Sequence, residues 1–166
     1  MTQDRRKFLQ TIATLAALSP LSSLASSTLS ATGKSAPKII LRSAWQTVNI
    51  GDIGHTFGIM ELFKKYVPEA EVTLWPFRPL DRDVDQLFRS KFPAAKIISG
   101  QISSTSGKPD SAELQQAFDT CDILVHSSGS GIVARSDVQA WSDITKKPFG
   151  VYGVSLSTID DVQLRL

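Results

Sequence analysis

The amino-acid sequence predicts an α/β fold with a doubly wound, Rossmann-like parallel sheet. From Lys38 onward, apolar runs of strand length alternate with segments of helical periodicity. Two of the predicted strands lead into glycine-rich turns, and the chain shows no internal repeat. Such alternation implies right-handed crossovers, with helices on both faces of the sheet. The predicted strand order is 3-2-1-4-5, which places the topological switch point, where ligands bind in such sheets, between strands 1 and 4.

Each of the five strands is predicted from a short apolar run bounded by turn residues or proline. The first run contains Ile39, Ile40 and Leu41, and the second ends near Pro76, which cannot donate a hydrogen bond within a sheet. The predicted strands cover residues 38–45, 71–77, 95–99, 122–126 and 148–154.

Four helices are predicted between these strands. The first follows a turn over Asn49 to Gly54, repeats apolar residues at helical spacing, and ends before Pro68. The later helices are predicted over residues 81–92, 111–119 and 136–145. Asp110 or Ser111 is the expected N-cap of the third helix, since a side-chain oxygen there can accept a bond from a free amide.

Composition indicates one globular domain without a nucleic-acid partner. The chain has 166 residues, 42% of them hydrophobic, and 18 basic side chains nearly balance 16 acidic ones. That near-neutral balance lacks the strongly basic character typical of nucleic-acid binding. Cys121 is the single cysteine of the sequence, so no internal disulfide can form, and we expect it to be buried and inert.

The first 25 residues have the features of a twin-arginine export signal. Arg5 and Arg6 precede Phe8 and Leu9, and a short apolar stretch follows. An ordinary secretory leader and a retained membrane anchor are the alternatives. Residues 26–37 are rich in Ser, Thr, Ala and Gly and are predicted to be a flexible linker. The protein is thus expected to use the twin-arginine export machinery and to be periplasmic or extracellular.

The turn after strand 1 supplies the first candidate site residues. Gly51 allows close approach of a ligand to the backbone, and Asn49 can hold the turn through its side chain. Asp52 is either a capping acid of the helix or a contact for sugar hydroxyls, and its charge disfavours a phosphate at the same amides. His55 lies three residues later on the same helical face, so the pair has the residue types for acid–base work. Asp52 and His55 are therefore candidate catalytic as well as binding residues, although a structural role for His55 is the commoner outcome.

The turn after strand 4 supplies the second set. Its hydroxyls and amides can bind a ligand, whereas an ordinary βα loop is the equally weighted alternative. His126 ends the predicted strand and faces either the crevice or the sheet. The candidate residues of this set are His126, Ser127, Ser128, Gly129 and Ser130.

Several familiar sites are excluded by these patterns. Asn49 occupies the first glycine position of the dinucleotide fingerprint, and no phosphate-loop lysine follows. The residues 128–131 read Ser-Gly-Ser-Gly and do not form a nucleophile elbow. No His, Cys or carboxylate spacing indicates a metal site, and no cofactor is expected.

The order of these motifs resembles the polysaccharide pyruvyl transferase family. Asn49-Ile-Gly-Asp52 looks like the Asn-x-Gly-Asp motif that opens members of that family, and residues 122–131 look like its strand and glycine-rich turn. The resemblance covers residues 39–155 and implies the amino-terminal half of a glycosyltransferase-B-like architecture, with the active site between two domains. Two departures are Ile53, where many members carry an acid, and Ser130, which interrupts the glycine run.

The resemblance implies transfer of a pyruvyl group from phosphoenolpyruvate to a cell-envelope polysaccharide sugar, which forms a ketal. Phosphoenolpyruvate is then the co-substrate, a sugar or polysaccharide is the acceptor, and a second domain is the missing partner. Residues 38–166 are expected to be a truncated domain that is inactive alone. An exported, non-catalytic carbohydrate-binding relative and a nucleotide-sugar glycosyltransferase are the alternatives.

Overall fold

The computed structural model describes residues 35–44, 49–129 and 131–155. They form a five-stranded, all-parallel sheet in the order β3-β2-β1-β4-β5, which confirms the predicted α/β fold and strand order. The strands are β1 Lys38–Ser43, β2 Glu71–Pro76, β3 Lys96–Ile97, β4 Ile123–Gly129 and β5 Phe149–Val154. The helices are α1 Ile50–Tyr66, α2 Arg82–Lys91, α3 Ala112–Thr120 and α4 Arg135–Thr145.

The apolar run of β1 supplies side chains to both faces of the sheet. Ile40 packs with residues of α3 and α4, whereas Leu41 packs with residues of α1 and α2. This alternation follows from the two-residue period of a strand. On the first face Trp75, Phe118 and Trp141 are fully buried in edge-to-face contact. The two apolar layers fix the helices on either side of the sheet, so the helix starts flank its carboxyl edge.

Strand β4 is longer than its sequence predicts, and β3 is shorter. Residues 127–129, which were predicted to be a turn, continue β4 because Ser127 pairs with both Ser43 and Tyr152, and Gly129 pairs with Val154. Tertiary pairing overrides the weak strand propensity of Ser and Gly here. At the other edge, β3 has two residues instead of five, although the Ile98 amide still donates to Leu74.

The amino edge of the sheet carries no candidate site residue. Cys121 lies there, just before β4, is buried as expected, and burial raises the pKa of its thiol. The carbonyl of Pro37 accepts a bond from the Glu71 amide, so regular pairing begins at the end of the predicted linker. Residues 1–34, which contain the predicted export signal and most of that linker, lie outside the described residues. Within the described ranges, no helix is both long and apolar enough to cross a membrane.

Candidate functional site

A crevice of about 400 Å³ opens at the carboxyl edge of the sheet, beside the ends of β1 and β4. This is the switch point that the strand order predicts, since β1 continues into α1 on one face and β4 leads to α4 on the other. The residues lining it are Ala44, Asn49, Gly51, Asp52, His55, Ser128, Gly129, Val133, Gly153 and Ser155. Six of the predicted site residues are therefore brought to one crevice.

The start of α1 forms one wall of the crevice. Asn49 is the N-cap, and its Oδ1 accepts a hydrogen bond of 3.0 Å from the Gly51 amide. A Cβ at Gly51 would lie 3.1 Å from that same oxygen, so the absence of a side chain keeps the cap uncrowded. Asn49 and Gly51 are thus a matched pair that sets where the first turn of α1 begins.

Asp52 joins this wall to β4. Its carboxylate is 7% exposed, and the Ser128 hydroxyl donates a 2.6 Å hydrogen bond to Oδ1. The helix start favours the negative charge of Asp52, and this charge disfavours a second anion in the same place. The carboxylate thus has two roles at once, since it is a first-turn acid of α1 and also lines the crevice.

Ser128 makes this contact from a strained backbone. Its φ is 71°, the left-handed region that costs a residue with a side chain roughly 1–2 kcal/mol. The next residue, Gly129, has a φ of 127°. A Cβ there would lie 3.0 Å from both the Gly131 carbonyl and Val133, so only glycine fits without a shift. Backbone strain of this kind is often retained at binding sites, where it aims a side chain.

His55 lies at the rim and is exposed, opposite the edge strand β5. A Cβ at Gly153 would come within 2.7 Å of His55 Nδ1, so the imidazole packs on the bare backbone of that glycine. Gly153 has a φ of 63°, and sequence reasoning did not select it. A glycine in the otherwise β-prone run Phe149–Val154 was the available signal.

No family model, curated protein or solved structure matches this chain. The chemistry of the crevice is therefore inferred from its own residues.

His126 and Ser127 are placed behind the crevice instead of in it. Both are fully buried, and His126 Nε2 accepts a 3.3 Å bond from the Ala134 amide ahead of α4. Burial, followed by the nearby charge of Arg42, lowers the pKa of His126 to about 4. The imidazole is therefore neutral at pH 7. Its Nδ1 and the Ser127 hydroxyl have no hydrogen-bond partner among the described residues.

The remaining candidate positions lie outside the described residues or show no metal chemistry. Ser130 is one of the undescribed residues. In the described ranges, no group of three or more His, Cys, Asp or Glu side chains is arranged to hold a metal ion. What the crevice offers is one carboxylate, one amide, one imidazole, hydroxyls and glycine backbone.

Proposed function

We propose that this domain is the sugar-binding part of a polysaccharide pyruvyl transferase-like protein, and that the crevice binds hydroxyl groups of the acceptor glycan. The observation that carries the proposal is the position of the Asp52 carboxylate. It accepts a hydrogen bond from Ser128 and lies, with the N-cap Asn49, in the crevice at the switch point. A sugar presents several hydroxyl donors, for which a charged acceptor is a strong hydrogen-bond partner. A phosphate group would meet the same carboxylate and be repelled.

In the proposed transferase, His55 is the residue placed to accept a proton from a bound sugar hydroxyl. It borders the same crevice as Asp52 and is exposed to an incoming ligand. Phosphoenolpyruvate is the proposed pyruvyl donor, and a ketal of the acceptor sugar is the proposed product. The carboxylate and the imidazole thus have distinct tasks, sugar orientation for Asp52 and proton transfer for His55.

A non-catalytic carbohydrate-binding role is the second candidate, and one contact favours it. The described hydrogen bond of Asp52 goes to Ser128, at 2.6 Å, and not to His55. A carboxylate that oriented a catalytic imidazole would be expected to bond it directly. Sugar binding without group transfer needs only the arrangement around Asp52.

Titration of the full chain with neutral hexoses and short cell-envelope glycans, followed by amide chemical shifts, tests the shared step. We expect saturable shifts at Gly51, Asp52 and Gly153. Asp52→Asn keeps the shape of the side chain but removes its charge, so the affinity should fall about tenfold, as for the loss of a charge-assisted hydrogen bond. Asp83→Asn is the control because Asp83 is also a first-turn acid, on α2, but is exposed and does not line the crevice.

Two outcomes decide between the candidates. Formation of a sugar ketal and release of phosphate from phosphoenolpyruvate, abolished by His55→Gln, would support the transferase. Binding without turnover is expected of this domain alone in both cases, so the His55→Gln variant then decides: weaker sugar binding would support the transferase, and unchanged binding would support the binding protein. If none of the glycans shifts the crevice amides, or if Asp83→Asn weakens binding as much as Asp52→Asn, the sugar-binding proposal is wrong.

A further inference from the structure

A second crevice, of about 370 Å³, opens at the carboxyl edge of the sheet and shares no lining residue with the first. Its walls come from the end of β1, the segments after β2 and β3, and the first turn of α4. The residues lining it are Arg42, Phe77, Arg78, Pro79, Gln101, Ile102, Ser136 and Asp137. Two cationic side chains, Arg42 and Arg78, thus line one cavity.

Arg42 is an unusual residue for a buried position in the central strand of a sheet. It is 4% exposed, and its guanidinium lies 4.2 Å from the centre of the Trp75 ring. Nε and Nη2 donate to one oxygen of Asp137, and Nη1 donates to the Trp75 carbonyl. Arginine carries five N–H donors. Two of them consequently have no acceptor among the described residues, although the side chain lines the cavity.

The ion pair with Asp137 does not use the whole donor capacity of Arg42. Burial lowers its pKa from the usual value, and the opposing effect of Asp137 is the smaller one. The neighbouring His126 is neutral at pH 7 and adds no further positive charge. A ligand oxygen in the crevice can accept hydrogen bonds from the N–H groups that Asp137 and Trp75 leave free.

The mouth of the crevice adds a second cation and free amides. Arg78 is exposed, and its guanidinium lies 5.9 Å from the centre of the Phe77 ring. Arg42 lies 5.0 Å from the same ring. Among the described residues, no side chain caps the start of α4, and Ser136 of its first turn lines the crevice. Uncapped amides at a helix start suit a negative group.

We propose that this second crevice binds a small oxyanion, a phosphate or carboxylate group of an organic ligand, between Arg42 and Arg78. Asp137 balances the charge of Arg42, so Arg78 supplies the net positive charge of the crevice. The planar guanidinium matches both types of oxyanion, since two parallel N–H donors can bind two oxygens. The partly exposed Phe77 ring offers an apolar surface for the body of the ligand.

The test is a titration of the ¹⁵N-labelled full chain with inorganic phosphate and, separately, with acetate. Ionic strength is held constant with sodium chloride. We expect saturable shifts of the Arg42 and Arg78 Nε–Hε signals and of the Gln101 and Ser136 amides. Tighter binding of phosphate assigns a phosphate ligand to the site, and tighter binding of acetate assigns a carboxylate ligand.

Arg78→Gln is the main variant because Arg78 is exposed and its replacement leaves the core intact. We expect about a tenfold weaker affinity, the loss of one charge-assisted hydrogen bond. Arg89→Gln is the matched control, since Arg89 pairs with Asp85 on α2 and lines neither crevice. Circular dichroism verifies that both variants are folded.

The proposal is overturned if neither phosphate nor acetate shifts these signals more than sodium chloride does at the same ionic strength. It is also overturned if Arg78→Gln and Arg89→Gln weaken binding equally. The second result would indicate diffuse surface charge instead of a site. The signals used here differ from the Gly51, Asp52 and Gly153 amides that report sugar binding. Failure of the oxyanion site is therefore distinguishable from failure of the proposed sugar site.

Discussion

At the scale of single residues, the contact between Ser128 and Asp52 is the most constrained feature of the crevice. Ser128 adopts a left-handed φ of 71°, yet it is the residue whose hydroxyl reaches the carboxylate at 2.6 Å. The strain would relax if glycine stood there, as it does at the next position. The hydrogen bond offsets this strain, and the same bond fixes the carboxylate for a ligand.

Substitution of Ser128 separates these two effects. Ser128→Ala keeps the backbone strain and loses a buried bond to a charged group, so we expect a loss of about 1.5–3 kcal/mol in the free energy of unfolding. Ser128→Gly loses the same bond but relieves the strain, partly offset by the greater entropy of the unfolded chain. Urea denaturation should therefore rank the variants as wild type, then glycine, then alanine. A glycine variant less stable than the alanine variant would contradict this account of Ser128.

At the scale of elements, the edge strand β5 completes the crevice by approaching the first turn of α1. Gly153 and His55 are in contact there, and the imidazole fits only because position 153 has no side chain. The strand pairs with β4 along its other side and carries exposed Val151 and Tyr152. The position of β5, and not its composition alone, decides where the imidazole can lie.

Gly153→Ala should displace the His55 ring and destabilise the strand. The new Cβ would lie 2.7 Å from Nδ1, and a φ of 63° is unfavourable for alanine, so we expect a loss of about 1–2 kcal/mol. Gly150→Ala is the matched control on the same strand, because a Cβ at Gly150 meets nothing within 4 Å. Urea denaturation gives the stability, and the His55 ring signals in NMR spectra report the displacement. Equal effects of the two substitutions would show that the Gly153–His55 contact is unimportant.

At the scale of the whole molecule, the buried His126 couples folding to pH. Its folded pKa of about 4 lies below the ordinary value of 6.5, so the unfolded chain binds more protons between these two pH values. Stability therefore falls as pH decreases through that window. The imidazole lies next to Arg42 on the neighbouring strand, so its protonation puts a second positive charge beside that arginine.

Between pH 7 and pH 5, this single group should lower the free energy of unfolding by about 2 kcal/mol, since one pKa unit corresponds to about 1.4 kcal/mol. Chemical denaturation at a series of pH values measures the loss. His126→Gln should be less sensitive to pH in this range. The sequence has two histidines, and His55→Gln leaves the buried one in place, so that variant should keep the wild-type pH dependence. A wild-type slope in His126→Gln would contradict the assignment.

The residues near the start of α1 show which part of the candidate site could be predicted from the sequence. Asn49, Gly51, Asp52 and His55 are close in the chain, and a strand-to-helix turn is local, so their common placement could be predicted. Ser128 and Gly129 joined them because the strand order brings the ends of β1 and β4 together. His126 and Ser127 could not be assigned in the same way, since their burial depends on the helix that follows β4 and on pairing with β5.

The sequence by itself determined the alternation of strands and helices, the parallel sheet and its order, and the edge at which polar residues collect. These follow from periodicity, from the right-handed crossover and from local turn chemistry, which a chain carries at every position. Only the tertiary structure decided that Ser128 bonds Asp52, that Gly153 receives His55, and that Arg42 forms a buried pair with Asp137. Those partners are separated by 76, 98 and 95 positions, and nothing in local propensity encodes such contacts. They arise because packing of the helices on the sheet brings distant side chains to one edge.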